Sequence, residues 1–437
     1  MSESILDLNR EERLLVLVAG SAVSENGAAS GLRREVEKLL GNGFDWHYYK
    51  VLAGYHQYLA ATYRFLRGVG VWEILPEGER AALEGEYLLA QARFIKKEAE
   101  LLEVLGALDA CGIEPIVFKG IPQAVLMYGD PGIRVSKDID ILVDPSRVEE
   151  ARKVLMENGY TIYSGLRSIQ DYRDYHFHFI FTRGERMDSV VELHWSLLDP
   201  KKHLGMDREA LERKAISVPV GGRNVKTLAV PHTMWYLCIH LSYKLFFDLR
   251  NLAELSRLTS TIDEAQWNEL ITWADDSNTT RELAIALHLC EFIFGRVIPE
   301  GLRRRLRPGV ILKRLALSTY YPRGLVWEWV PYKDTHELVM TFFLRQGAGE
   351  KLKFLFHLAF PDRRTIQEVY FRQMKKLGYR RFGYFWNGLY VQGKVIMMAL
   401  LLGFLIQRKI LSEQVLDPAR QERVRKHLEE KATLPGE

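Results

Sequence analysis

Cysteine is scarce in this chain: Cys111, Cys238 and Cys290 are the three present, widely spaced and odd in number. That argues against a disulfide framework and for a reducing, cytoplasmic setting. A strong excess of either charge is missing too, since 60 Lys and Arg face 56 Asp and Glu for a formal net charge of +4. Long nucleic acid is disfavoured by that balance, and any polyanion has to be met locally. No basic leader opens the sequence: Glu3, Asp7, Glu11 and Glu12 precede the short apolar stretch Leu14 to Val18, the reverse of a secretion signal. The longest apolar run, Val395 to Ile406, falls well short of the roughly 20 residues a spanning helix requires. Gly-x-Gly-x-x-Gly, Walker and serine-nucleophile motifs are absent as well, which removes dinucleotide enzymes, P-loop ATPases and α/β-hydrolases from the leading candidates.

What remains is a chain of 437 residues, 47% hydrophobic, enough for two or three domains with real cores. Residues 1–94 read as helices broken by the Gly/Ser/Ala-rich stretch Gly20 to Gly31. From Leu88, apolar positions at Ala92, Ile95, Ala99, Leu102, Leu105 and Leu108 predict a long amphipathic helix ending near Gly112. The period then shortens to two. Strands are predicted at Pro115 to Phe118, Asp138 to Val143, Tyr160 to Tyr163, Phe177 to Thr182, Ser189 to Trp195 and Ile216 to Val220. Asp144-Pro145 opens a helix over about 145–158 that Gly159 stops. Residues 232–345 are helical in period. The expected architecture is α+β: a helical N-terminal region (1–94), a small mixed-sheet core (95–205), a helical domain (206–345) and a basic-aromatic helical tail (346–437).

The sharpest chemical signal is the pair Asp138 and Asp140, spaced two apart in an otherwise apolar strand and therefore on one face. Carboxylates placed there need a cation or a basic partner. Mg²⁺, with its preference for hard oxygen ligands and substrate phosphates, is the simplest answer. The strand SVVELHW supplies a third acid by the same alternation, with Val190, Glu192 and His194 sharing a face. Laid beside the first strand, it converges three acids on one place, as two-metal phosphoryl chemistry demands. The plainer alternatives are a surface D-x-D, or a metal-free ion network in which Lys119 and Arg134 neutralise the acids.

Lys119, Arg134 and Lys137 flank the strand ends and are the expected phosphate contacts, Arg134 through a two-point grip. His194, two residues beyond Glu192, is expected to bind a phosphate, to orient the acid, or to be a satisfied core histidine. His240 and Lys244 lie one helical turn apart and suit nucleotide or acceptor contact. His176 and His178 alternate in an aromatic strand, but no further Cys or His stands at ligand spacing, so they read as structural.

The stretch FKGIPQAVLMYGDPGIRVSKDIDILVDPSRVEEARKVLMENGY, followed by VELHWSL and then HLSYKLFFDLRNLAEL, resembles the uncharacterised nucleotidyltransferase family of bacterial genomes, a branch of the polymerase-β-like superfamily. Similarity to the FKGG and SxDID pattern of AbiEii-type toxin nucleotidyltransferases is less complete. The matching positions are Lys119, Gly120, Tyr128, Gly129, Arg134, Asp138, Asp140, Glu192 and His194. The resemblance implies that Asp138, Asp140 and Glu192 hold Mg²⁺, with Mn²⁺ as a substitute, and orient a nucleoside triphosphate for attack by an acceptor hydroxyl. The acceptor class, whether small molecule, sugar, protein side chain or RNA end, is left open. Two departures stand out: the superfamily's Gly-Ser turn is Gly120-Ile121-Pro122 here, and Asn251 occupies a helical position where Asp is expected. An attenuated nucleotide-binding or scaffold module and a phosphotransferase are the alternative readings.

The tail from Phe371 to Lys409 interleaves Arg372, Lys375, Lys376, Arg380 and Arg381 with Tyr379, Phe382, Tyr384, Phe385 and Trp386 before the apolar run. Such a pattern suits peripheral contact with the inner, anionic membrane face. A core helix fits so short a run equally well.

Overall fold

The structure, a computed structural model, describes residues 8–21, 30–134, 136–163, 177–184, 189–198, 208–295, 297–310, 312–313, 316 and 333–359. The basic-aromatic segment Phe371 to Lys409 and its apolar run lie outside the described residues, as does His176. Among the described residues, no helix is long and apolar enough to cross a membrane.

Four helices open the chain: α1 (Arg10–Ser21), α2 (Ser30–Leu39), α3 (Trp46–Tyr55) and α4 (Leu59–Gly68). Helix α5 (Glu77–Asp109) follows and is 33 residues long. It starts a good deal earlier than the apolar spacing indicates, behind Pro76, with Glu77 and Glu79 in a first turn that favours acids. Its buried stripe also differs. Leu88 and Ile95 are 60% and 63% exposed, whereas Leu83, Ala90, Leu101, Val104, Leu105 and Leu108 are buried. The reason is that α5 serves two cores in turn: Leu83 and Ala90 belong to the helical core, and Leu101 to Leu108 lie under the sheet.

The sheet is built from β1 (Ile116–Val117), β2 (Asp138–Leu142), β3 (Thr161–Ile162), β4 (His178–Arg183) and β5 (Ser189–His194), in the spatial order β1-β2-β5-β4-β3. Helix α6 (Ile121–Met127) follows β1, and α7 (Val148–Glu157) follows β2. The β2–β5 pair is parallel and the others antiparallel, so the sheet is mixed as expected. Ile139, Ile141, Val191, Leu193, Phe179 and Phe181 face one way and pack with Leu101, Leu105, Val148 and Leu155 of α5 and α7. Alternation therefore turns Asp138, Asp140, Glu192 and His194 to the opposite face.

After α8 (Arg208–Lys214) comes a hairpin of β6 (Ile216–Val220) and β7 (Arg223–Thr227), the second strand being one the sequence pattern did not reveal. Both turn residues, Gly221 and Gly222, have positive φ, which the tight hairpin turn requires. Among the described residues, the helices α9 (Val230–Tyr243), α10 (Leu249–Leu258), α11 (Glu264–Asp276), α12 (Thr280–Phe294), α13 (Lys333–Leu344) and α14 (Ala348–Ala359) follow. Leu14, Leu52 and Leu66 from the first helices share one hydrophobic core with Trp235, Leu252 and Leu287. The two helical regions, far apart in sequence, thus form one layer over the acidic face of the sheet.

Candidate active site

The site begins with a register. Parallel pairing sets Asp138 against Val190, Asp140 against Glu192 and Leu142 against His194. At its start β5 is pinned by the hydroxyl of Ser189, which donates to Glu100 of α5. One carboxylate oxygen from each of Asp138, Asp140 and Glu192 lies within 4.8 Å of the other two. The three acids expected to converge do meet in one place.

Their environment is cationic. Lys119, directly after β1, brings its ammonium to 3.0 Å from Asp140 Oδ1. His194 Nε2 lies 3.1 Å from Glu192 Oε2 and 3.5 Å from Asp140 Oδ1. Burial disfavours the Asp140 carboxylate, but Lys119 and His194 outweigh it and hold its pKa well below the usual range. The same contacts work in reverse on the bases. Burial pulls the Lys119 and His194 pKa values down, and their acidic neighbours more than restore them, leaving both raised. His194 is a buried histidine held between two of the acids, a position from which it can orient them.

Oδ2 of Asp140 is fully buried and has no hydrogen-bond partner. A buried acceptor left unsatisfied is costly, and three converging carboxylates with one such oxygen fit a hard divalent cation. The donor set of Asp138, Asp140 and Glu192 thus suits a hard divalent cation.

The remaining expected residues divide. Gly120 sits at the turn with φ 77° and ψ −125°, a conformation other residues rarely adopt. Its carbonyl accepts from Ala124 N–H and, at 3.3 Å, from Arg134 Nη1. The Ser hydroxyl missing after Gly120 has a neighbour in space: Ser136 Oγ lies 3.2 Å from where a Cβ on Gly120 would stand, and donates to the Asp138 carbonyl. Lys137 is exposed beside Asp138.

Arg134 does not offer its fork to a phosphate. The guanidinium is buried and makes its two-point grip on Glu254 of α10, Nε to Oε1 at 2.7 Å and Nη2 to Oε2 at 3.2 Å. Burial alone would lower its pKa; the Glu254 carboxylate raises it instead, so the guanidinium stays charged. The expectation of a phosphate grip is corrected to that of a brace between the Gly120 turn and the helical layer.

His240 hydrogen-bonds through Nδ1 with Asn251 Nδ2 at 2.9 Å, and Asn251 in turn reaches Asp248. Burial, then the charges of Lys119 and Lys244, keeps His240 far below its ordinary pKa and hence neutral. Lys244 does not share the inward face: it caps the end of α9 and pairs with Asp248 at 2.7 Å, largely in solvent. One turn before His240, Tyr236 stacks near it and lies under the Lys119 ammonium, 5.4 Å from ring centre to nitrogen. Burial, partly offset by Lys119, pushes the Tyr236 hydroxyl up to about 12.

Sequence reasoning missed Tyr236, Glu254 and Ser136, and it read His178 as structural. His178 is paired with His194 across the antiparallel β4–β5 ladder, and their rings stack at 4.6 Å. Ligand spacing along the chain gives no hint of this neighbour, because strand pairing creates it.

Residues 42–295 match the family described as uncharacterised nucleotidyltransferase. The chain belongs to that family. The matched residues run from α3 to α12 and include the sheet with its acidic face. Two solved structures of the antibiotic-resistance factor ANT(2'')-Ia show partial similarity. Its solution structure is 13% identical over 41% of this nucleotidyltransferase and 90% of that chain, with a TM-score of 0.30. Its crystal structure in complex with adenylyl-2''-tobramycin is 14% identical over 40% and 95%, again with a TM-score of 0.30. No curated protein sequence matches the chain. Family membership makes this an enzyme of nucleotidyl transfer.

Proposed function

We propose that the enzyme transfers a nucleoside monophosphate from a nucleoside triphosphate to a hydroxyl-bearing acceptor, with Asp138, Asp140 and Glu192 holding Mg²⁺. The observation that carries this reading is the cross-strand pairing of Asp140 with Glu192, with Asp138 on the same face and one carboxylate oxygen from each within 4.8 Å of the others. In the reaction the acceptor oxygen bonds to the α-phosphorus, the bond from that phosphorus to the β-bridging oxygen breaks, and pyrophosphate leaves while the hydroxyl proton is released. When bound, the cation supplies positive charge against the triphosphate and the departing pyrophosphate.

The chain's own residues do the rest by position and charge. His194 holds Glu192 and Asp140 in one orientation. Lys119 keeps Asp140 ionised and offers an ammonium on the acidic face. Lys137, exposed at the strand entrance, is the residue placed to meet a phosphate from solution. Gly120 turns the chain sharply enough to pass close to Ser136, whose hydroxyl stands beside the turn where the superfamily carries its own serine.

The experiment is a screen of the four α-labelled triphosphates with Mg²⁺ or Mn²⁺ against cell extract, reading which label becomes covalently attached. Label retained on an acceptor, with pyrophosphate released, supports nucleotidyl transfer. Label recovered in free nucleoside diphosphate, with none attached to an acceptor, means a phosphotransferase instead. Asp138→Asn combined with Asp140→Asn should abolish turnover while the circular dichroism spectrum is unchanged. Turnover that survives in this double variant overturns the assignment.

A further inference from the structure

We infer that the same sheet face carries a second cation position, formed by His178, Glu192 and His194, which selects a transition cation such as Mn²⁺, Co²⁺ or Zn²⁺ rather than Mg²⁺. It shares Glu192 with the reading above but rests on a separate observation, the two histidines. One ligand atom from each of the three residues lies within 4.8 Å of the other two. The arrangement is built into the ladder: β4 and β5 pair His178 with His194 directly and Ile180 with Glu192, so both imidazoles and the carboxylate rise from one face.

Chemistry separates this position from its neighbour. Asp138, Asp140 and Glu192 offer oxygen only, the donor set of Mg²⁺. His178 and His194 bring two nitrogens, which favour borderline cations. The distance between His194 Nε2 and Glu192 Oε2 is 3.1 Å, close to the separation of roughly 3.4 Å between two ligands of a tetrahedral ion with bonds near 2.1 Å. The rings of His178 and His194 are inclined by only 23° and are stacked, with centres 4.6 Å apart. Phe118 and Phe177 press their rings on His194, which fixes its plane. A side chain held in this way loses little freedom on ligating. Glu192, reachable from both sides, becomes the bridge between an oxygen-only position and a nitrogen-containing one.

The test uses the full chain stripped of metal and then titrated with Mn²⁺ or Zn²⁺. Pulsed electron paramagnetic resonance on the Mn²⁺-loaded wild type should show nitrogen-14 modulation from imidazole. Zn²⁺ binding by calorimetry should weaken about tenfold or more in His178→Gln. Asp138→Asn with Asp140→Asn should keep the nitrogen signal, which separates this inference from the turnover test above. If wild-type protein saturated with Mn²⁺ shows no nitrogen modulation, binds no cation, or binds Zn²⁺ equally well after His178→Gln, the second position does not exist. The wild-type measurement stands even if the variant fails to fold.

Discussion

The ammonium of Lys119 lies 3.0 Å from Oδ1 of Asp140, whose side chain is fully buried, and so occupies the place beside the acid where a bound cation's charge is wanted. On the proposed reading, lysine and metal compensate the same carboxylate. The two oxygens divide the work, Oδ1 facing Lys119 while Oδ2 stays unpartnered.

Lys119→Met leaves Asp140 buried with only His194 to balance it. Breaking a buried pair from one side costs about 3 kcal/mol. The variant should melt earlier than wild type in metal-free buffer and gain more from Mg²⁺ than wild type does. Differential scanning calorimetry with and without Mg²⁺ checks this, and an equal Mg²⁺ gain in both proteins contradicts it.

Gly120→Ala forces a Cβ onto a backbone at φ 77°, 3.2 Å from Ser136 Oγ. The conformational cost is about 1–3 kcal/mol. Pyrophosphate release should fall and the melting temperature drop. Adding Ser136→Ala relieves the contact but not the backbone strain, so stability should recover only in part. Full recovery would show that sterics alone decide the position.

Glu254→Gln removes the counter-charge of buried Arg134. The expected loss is roughly 3–5 kcal/mol of folding stability by denaturant titration. Because Arg134 also donates to the Gly120 carbonyl, the surviving folded enzyme should show a raised KM for triphosphate. A stability loss with unchanged KM would limit the brace to a structural role.

Glu282 in α12 is buried, and burial raises its pKa from 4.5 to about 8, against a smaller opposing pull from Arg281 and Arg345. The folded protein then keeps a proton that the unfolded chain has released, so this residue's contribution is intact below pH 4.5 and declines as pH rises through 8. Glu282→Gln should flatten that decline. Melting curves from pH 5 to 8 should diverge, the variant becoming the more stable at the alkaline end.

The acid-bearing strands were legible because alternation writes the facing of each residue directly into the sequence. Asp138, Asp140 and Glu192 follow from that period, and the pairing of their strands completes the cluster. Arg134 was misread because its partner Glu254 is 120 residues away and no local pattern links them. The nearness of His178 to His194 was hidden for the same reason, since it arises by pairing of strands. Leu88 and Ile95 obey the helical period yet face solvent: α5 passes from one core to another, and a single stripe cannot describe both contacts. Lys244 fits the spacing of an inward face, but α9 ends at Tyr243 and the chain turns it to Asp248.

The Arg134–Glu254 pair has a consequence for how such a chain can be cut or recombined. The sheet excised from its helical cover would carry an interior guanidinium stripped of its counterpart, at the foot of the turn that precedes α6. Catalytic sheet and overlying helices are on this account co-inherited: a graft that exchanges one for a foreign equivalent must bring a matching acid, or lose the turn before it loses any residue that touches substrate.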